Sequence, residues 1–183
     1  MTFAEVFDEA LGRNPILDDV HAFLTRFVSC QSSHAYVAHT LWCAHTHVVN
    51  KFRTSPRLAF LSPEPESGKT RGLEASELLV AKPEMFLDPS VAVIFRLAEQ
   101  EQPTFLLDEV DNIFTKHGKD DENAELRGLL NNGYRKGATV PRCVGQSHEI
   151  RRFPVYAPVA FAGLGDFPAV LMSRCIVIRM RPA

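Results

Sequence analysis

Four consecutive residues, Ser67-Gly68-Lys69-Thr70, lie between a short apolar run at 58–61 and a stretch of helical character that reaches about residue 80. A strand, a loop and a helix in this order are typical of a phosphate-binding loop (P-loop), because backbone N–H groups at a helix N-terminus hold phosphate oxygens. Lys69 would neutralise the β- and γ-phosphates of a nucleoside triphosphate, and the Thr70 hydroxyl would ligate Mg²⁺. The same letters also occur by chance where a basic helix follows a Pro-rich turn, so this motif does not decide alone.

A second motif supports the first. The apolar run at 104–107 ends in two carboxylates, Asp108 and Glu109. Asp108 is placed to hold Mg²⁺, and Glu109 to act as the general base that polarises the attacking water. A strand that ends in an acidic capping turn is common, but the two motifs in this order predict a site for Mg²⁺ and ATP. The predicted nucleotide-binding residues are Glu66, Ser67, Gly68, Lys69, Thr70 and Arg71.

The remaining pattern predicts an α/β fold, because strand-like runs alternate with helical ones after residue 57. The predicted strands are 58–61, 85–87, 104–107, 139–144, 150–156, 159–162 and 175–180. The predicted helices are 2–11, 15–27, 34–50, 69–80, 89–100 and 123–136. We expect a helical segment at 1–52, a core at 53–183 with a mostly parallel five-stranded sheet, and a hairpin that turns near 145–147.

Composition indicates an ordinary globular protein with no membrane span. The chain has 183 residues, of which 45% are hydrophobic and 23% charged, and its net charge is −2. Its N-terminus is acidic, unlike a secretory signal. Cys30, Cys43, Cys143 and Cys175 show no CxxC spacing, so we expect reduced thiols and a cytoplasmic location, in a bacterium or a phage-infected cell.

Further motifs extend the pattern along residues 40–182. They include His45-Thr46-His47, Ser55-Pro56-Arg57-Leu58-Ala59, Ser62-Pro63-Glu64-Pro65, Leu107-Asp108-Glu109-Val110-Asp111, Glu125-Leu126-Arg127-Gly128-Leu129-Leu130-Asn131-Asn132-Gly133, Arg142-Cys143-Val144, Ala157-Pro158-Val159-Ala160 and Ser173-Arg174-Cys175-Ile176-Val177-Ile178-Arg179-Met180. As a set they resemble an AAA+-related P-loop ATPase domain of unknown function found in actinobacteria and their phages. That domain is often attached to replication proteins of primase or helicase type.

The resemblance implies a three-layer P-loop NTPase of the ASCE, AAA+-like type, with one strand between the two that carry the motifs. It also implies slow, Mg²⁺-dependent ATP hydrolysis coupled to DNA replication or remodelling, and a homo-oligomer with nucleotide near a subunit interface. Arg174 matches the position of an arginine finger, which would neutralise charge on a neighbour's γ-phosphate. The alternative is an arginine packed across the end of the sheet, and Arg127 and Arg135 are rival fingers.

Three features depart from the pattern. Pro63 replaces the first glycine of the P-loop consensus, and Glu66 stands where glycine is usual, so a positive φ there would be strained and the carboxylate would repel phosphate. The run 161–165 ends without the Asn, Thr or Ser that usually positions water. Few residues follow the last strand, so we expect no helical lid after it. From these departures we expect weak nucleotide binding or slow ATP hydrolysis.

Three arginines, Arg142, Arg151 and Arg152, lie on the predicted hairpin beside Phe153. Arginines with an aromatic neighbour can contact the backbone and bases of single-stranded or duplex DNA. The alternative is a solvated hairpin whose arginines pair with the acidic loop at 120–122.

Other functions stay open. His39, Cys43 and His47 share a helix face with metal-ligand spacing, but local hydrogen bonding is the simpler interpretation, and we predict no zinc site. The chief alternative to an ATPase is a degenerate nucleotide-binding module that regulates a protein partner and turns over little. A third is a nucleic-acid-binding protein with a vestigial P-loop.

Overall fold

A computed structural model of the chain describes residues 15–87, 90–115, 121–144 and 149–180. The strands are β1 (Arg57–Ser62), β2 (Pro83–Phe86), β3 (Thr104–Leu107), β4 (Thr139–Val144), β5 (Glu149–Pro154), β6 (Val159–Leu164) and β7 (Cys175–Arg179). The helices are α1 (Pro15–Phe27), α2 (Ser33–His47), α3 (Lys69–Glu77), α4 (Val91–Gln100), α5 (Asp111–Thr115), α6 (Asp121–Asn132) and α7 (Ala169–Met172). The helix predicted at 2–11 and the turn predicted at 145–147 lie outside the described residues.

Five strands form one parallel sheet in the order β2-β3-β6-β1-β7, while β4 and β5 form a separate antiparallel hairpin. The prediction of an α/β fold with a five-stranded parallel sheet is therefore confirmed. β6 pairs with β1 on one side and with β3 on the other. The expected separation of the two motif-bearing strands by one strand is present.

Helices cover both faces of the sheet, which explains why β1 is buried along its whole length. Leu58 and Phe60 point to the face covered by α1, α2 and α3. Ala59 and Leu61 point to the opposite face, where α4 and α6 pack. Alternate residues of a strand face opposite sides of a sheet, so a central parallel strand is apolar throughout rather than alternating.

The two N-terminal helices pack on the sheet. Leu24 of α1 and Trp42 of α2 are buried in the same apolar cluster as Leu58 and Phe60. The Trp42 indole N–H donates to the carbonyl of Pro56, 2.9 Å away, just before β1. The boundary at residue 52 stays a prediction. No helix of the described ranges is both long and apolar enough to cross a membrane.

The predicted helix at 123–136 was wrong at its C-terminal end, because α6 ends at Asn132. The side chain of Arg57 is completely buried beneath this end of α6. Its guanidinium donates to the carbonyls of Leu130 at 3.2 Å and Leu129 at 3.5 Å, and to Ala157 at 2.6 Å. A cation is favourable at a helix C-terminus, where the Leu129 carbonyl also accepts from the backbone N–H of Gly133 at 2.8 Å.

A buried histidine links α2 to α3. The Ser76 hydroxyl donates to the carbonyl of Gly72 at 2.7 Å, so Nε2 of His39, 2.8 Å away, donates to Ser76. Nδ1 of His39 is buried, with no hydrogen-bond partner among the described residues. Burial lowers the pKa of His39 from 6.5 to about 4, since a charged imidazole would lose its hydration there.

Gly72 lets α3 approach β1 closely, so Gly72→Ala should destabilise the protein. A Cβ at Gly72 would lie 2.8 Å from the Phe60 ring. We expect the free energy of unfolding to fall by about 1–3 kcal/mol, as for other overpacked cores. The matched control is Gly128→Ala in α6, where a Cβ meets nothing within 4 Å. Urea unfolding of both variants checks this, and equal stabilities would contradict the close packing of α3.

His39 should make stability depend on pH. The folded protein keeps His39 neutral to about pH 4, whereas the unfolded chain takes up a proton below about 6.5. Its contribution is therefore complete above pH 6.5 and is lost as the pH falls towards 4, by at most about 3 kcal/mol. Urea unfolding at several pH values should show a weaker dependence for His39→Gln than for the wild type. The control His34→Gln, at an exposed position of α2, should keep the wild-type slope.

Candidate functional site

A cleft of about 360 Å³ opens at the carboxyl ends of β1, β3 and β6. Parallel strands end at the same edge of a sheet, so the loops that follow them meet there. The lining residues are Pro65, Glu66, Lys69, Thr70, Asp108, Glu109, Asp111, Gly163 and Leu164. The fold therefore brings together both predicted motifs, which are 38 residues apart at Thr70 and Asp108.

The loop after β1 is held by its own hydrogen bonds. The Ser62 hydroxyl accepts from the backbone N–H of Glu64 at 2.9 Å and donates to the carbonyl of the same residue. Gly68 has φ +81° and precedes the first turn of α3. Residues 66–70 also line a smaller hollow of about 250 Å³. The backbone thus curves around a concave space at the start of a helix, a geometry suited to binding an anion.

Glu66 has φ +55°, so the condition for strain that the sequence analysis named is met at this position. The left-handed region costs a residue with a Cβ atom roughly 1–2 kcal/mol. The Glu66 side chain also lines the cleft. The loop therefore carries both the strain and the carboxylate that the sequence predicts.

Lys69 turns towards the loop that precedes it. Its Nζ donates to the carbonyl of Glu64 at 3.0 Å and to the Ser67 hydroxyl at 3.1 Å. Partial burial lowers the pKa of Lys69, and this outweighs the opposite effect of the negative charges of Asp111 and Asp108. The ammonium thus lies in the cleft, near the carboxylates that follow β3.

Thr70 and Asp108 join the two motifs directly. The Thr70 hydroxyl donates to Oδ2 of Asp108 at 2.8 Å, and Oδ1 of Asp108 accepts from the backbone N–H of Glu109 at 2.8 Å. Asp108 is buried, whereas Glu109 is exposed in the cleft with φ +53°. The buried carboxylate is therefore fixed, and the exposed one is accessible to water.

The residues present fit Mg²⁺ bound together with phosphate. The described residues contain no group of three or more His, Cys, Asp or Glu side chains placed to hold a metal ion. Mg²⁺ is often held by one or two protein oxygens with phosphate and water supplying the rest. The adjacent hydroxyl and carboxylate oxygens of Thr70 and Asp108 form such a set.

Asp111 is a cleft residue that the sequence analysis did not select. It is the first residue of α5, and its Oδ1 accepts from the backbone N–H of Leu164 at 3.1 Å. Gly163, beside Leu164, leaves room for Phe167, because a Cβ there would lie 2.4 Å from the Phe167 ring. The only sequence signal was a third acidic residue shortly after Asp108 and Glu109.

Two predicted residues lie away from the cleft. Arg71 is exposed on α3, where it pairs with Glu74 at 2.9 Å and does not line the cleft.

Arg174 precedes β7 at the opposite edge of the sheet, since its carbonyl accepts from the N–H of Arg57 at the start of β1. Its guanidinium contacts the Asn131 carbonyl and lies 4.7 Å from the centre of the Tyr134 ring. Packing across the end of the sheet, the alternative to a finger, accounts for these contacts.

The hairpin arginines divide between two faces. Arg151 forms an ion pair with Glu99 of α4 at 2.8 Å, and Arg142 lies 5.0 Å from the centre of the Phe95 ring, also on α4. Arg152 is exposed and is paired in register with Pro141. The side chains at 120–122 lie outside the described residues, so the pairing of the arginines with this loop stays a prediction. The acidic partner seen for Arg151 is Glu99.

The three residues with metal-ligand spacing on α2 have other surroundings. His39 bonds to Ser76, and Nε2 of His47 lies 2.9 Å from the carbonyl of Leu79. Cys43 is buried, which raises the pKa of its thiol to about 12. Both histidines are thus hydrogen-bonded, but to partners 37 and 32 residues away in the chain rather than to local ones.

Comparison with known proteins identifies no relative. No protein-family model matches the chain, and a search of curated proteins finds no match. Arguments about function therefore depend on the cleft itself.

The strain at Glu66 can be measured by comparing glycine with alanine. Both substitutions remove the carboxylate, but only glycine adopts φ +55° without cost. We expect Glu66→Gly to be more stable than Glu66→Ala by about 1 kcal/mol in urea unfolding. At Glu77, an exposed helical position, the order should reverse, because alanine is the better helix former. If the glycine variant is the more stable one at both positions, the strain proposed at Glu66 is contradicted.

Proposed function

We propose that this chain is a P-loop ATPase domain of the AAA+-like type that binds ATP in the cleft and hydrolyses it slowly. One observation carries the proposal: the 2.8 Å hydrogen bond between Thr70 and Asp108. That bond brings the end of the glycine-containing loop against the acidic pair, with Lys69 and Glu109 lining the same cleft. A phosphate cradle, a cation-binding oxygen pair and an exposed carboxylate are the parts that phosphoryl transfer to water requires.

Each residue has a role that follows from its surroundings. The triphosphate lies along residues 66–70, which line the smaller hollow, because the first turn of a helix leaves backbone N–H groups without partners in the helix. Lys69 leaves the carbonyl of Glu64 and donates to the β- and γ-phosphates instead. Glu109, exposed beside the fixed Asp108, accepts a proton from the water that attacks the γ-phosphate.

Thr70 and Asp108 are the residues that would hold Mg²⁺. When bound, the cation neutralises charge on the phosphates and withdraws electrons from them. The hydroxyl of Thr70 keeps the buried carboxylate oriented towards the loop.

Arg174 as an arginine finger requires an oligomer. Arg174 lies beside the start of β1, whereas the nucleotide site follows the end of β1. These two ends are about 16 Å apart, because β1 is six residues long. Arg174 therefore acts only on the nucleotide of a neighbouring subunit, after leaving Asn131 and Tyr134. A homo-oligomer with nucleotide at its interface is part of this proposal.

DNA is the proposed partner of the hairpin. Arg152 is exposed on β5, and Ile150, on the same side of that strand, is 72% exposed. Arg142 and Arg151 contact α4, so Arg152 is the arginine best placed to meet a DNA phosphate. Coupling of hydrolysis to DNA replication or remodelling is proposed from the sequence resemblance.

A degenerate nucleotide-binding module is the second candidate, and Glu66 favours it. The strained, acidic residue at the cradle disfavours phosphate, and the Ser67 hydroxyl and a backbone carbonyl already bind the Lys69 ammonium. Such a protein would bind nucleotide weakly and act through contacts with a partner protein.

Phosphate release from ATP and Mg²⁺ tests the proposal. We expect slow turnover by the wild type, no measurable turnover by Lys69→Ala, and a fall of about 10²–10⁴-fold in kcat for Glu109→Gln, the range for loss of a general base. The controls Lys136→Ala and Glu77→Gln change exposed residues outside the cleft lining and should retain activity. Each assay is repeated with single-stranded and duplex DNA.

The outcomes separate the candidates. Turnover that both cleft substitutions abolish and both controls retain supports the ATPase, and stimulation by DNA that Arg152→Ala removes supports the hairpin contact. Nucleotide binding without turnover at high protein concentration favours the regulatory module. Absence of binding overturns the nucleotide site.

A further inference from the structure

The cleft is strongly acidic for a site that receives an anion. Among the described residues, four carboxylates line it, from Glu66, Asp108, Glu109 and Asp111, and Lys69 is the single basic residue of the lining. A triphosphate entering this cleft meets more negative than positive charge. Repulsion between like charges is strong where solvent screening is incomplete.

Asp111 differs from the other acidic residues in how it is held. Glu66 and Glu109 are exposed, and Asp108 is bound to Thr70. Asp111 is partly buried at the first turn of α5, and the N–H of Leu164 holds one of its carboxylate oxygens. The contact joins the acidic turn after β3 to the end of β6.

The end of β6 donates a backbone hydrogen bond to that carboxylate. The Leu164 N–H donates to Oδ1 of Asp111 at 3.1 Å, and Phe167 packs where a side chain at residue 163 would lie. Gly163 and Leu164 line the cleft but bring no charged or hydroxyl side chain to it. Asp111 supplies the polar group at this end of the cleft.

We propose that Asp111 is a positioning residue that fixes the end of β6 and makes nucleotide binding depend on a divalent cation. This inference rests on the proposed nucleotide site. A fixed carboxylate opposes a bare triphosphate. The same charge opposes a triphosphate far less when a divalent cation accompanies it, because the cation offsets the negative charge that both groups carry.

The test measures binding of a fluorescent ATP analogue with excess Mg²⁺ and with EDTA. Asp111→Asn keeps an oxygen for the Leu164 N–H but removes the charge. We expect the ratio of the dissociation constants, EDTA over Mg²⁺, to fall about tenfold, the scale of one charge interaction at a partly exposed site. Asp166→Asn makes the same change at an exposed residue outside the cleft lining and should keep the wild-type ratio.

Glu109→Gln is the matched removal of a charge within the cleft. If it lowers the ratio as much as Asp111→Asn does, the effect belongs to total charge and the role of Asp111 is overturned. An unchanged ratio in Asp111→Asn overturns it as well, while wild-type binding with Mg²⁺ leaves the proposed function intact. Absence of wild-type binding under both conditions overturns the nucleotide site itself.

The positioning role has a readout that needs no nucleotide. Hydrogen exchange of the Leu164 amide, followed by NMR, should be faster in Asp111→Ala and near the wild-type rate in Asp111→Asn. Exchange at the Val110 amide, which bonds to the Ala162 carbonyl at 3.0 Å, reports whether the sheet edge remains folded. Unchanged exchange at Leu164 in Asp111→Ala would contradict the contact.

Discussion

The cleft depends on one constraint, the parallel pairing of β6 with β1 on one side and β3 on the other. Because the three strands run in the same direction, the chain leaves them at a common edge. Hydrogen bonds continue beyond the strand ends, from the Val110 N–H to Ala162 at 3.0 Å and from the Gly165 N–H to Ser62 at 3.1 Å. These bonds fix the loops relative to one another, so Thr70 meets Asp108 without a long, flexible side chain to bridge them.

Near each end of β1, a basic side chain donates hydrogen bonds to backbone carbonyls. At its start, Arg57 is buried among the carbonyls of α6 and of Ala157. Burial lowers the pKa of Arg57 to about 10, so the guanidinium remains charged at neutral pH. Beyond its end, Lys69 binds the carbonyl of Glu64. The first contact is buried and structural, whereas the second lies in an open cleft.

Support for the loop also comes from behind α3. Ser76 accepts from His39 of α2 and donates to Gly72, and Gly72 brings α3 close to Phe60 of β1. The N-terminal helices therefore position the helix whose first turn borders the cleft. Hydrogen bonds shielded from water are hard to break, because an unpaired buried polar group is costly. The strained Glu66 persists because the elements around it are fixed in this way.

The sequence by itself determined the two motifs, the alternation of strands and helices, and the departure from glycine at Glu66. These follow from local patterns, since a β-strand, a helix start and a glycine-like position each depend on a few neighbouring residues. Tertiary structure decided the strand order, the end of α6 at Asn132, the approach of Asp111 to Leu164 and the division of the hairpin arginines. Each of these depends on contacts between residues distant in the chain. Arg57 binds the Leu129 carbonyl of α6 from 72 residues away, and Glu99 pairs with Arg151 from 52 residues away. Local periodicity carries no information about such partners.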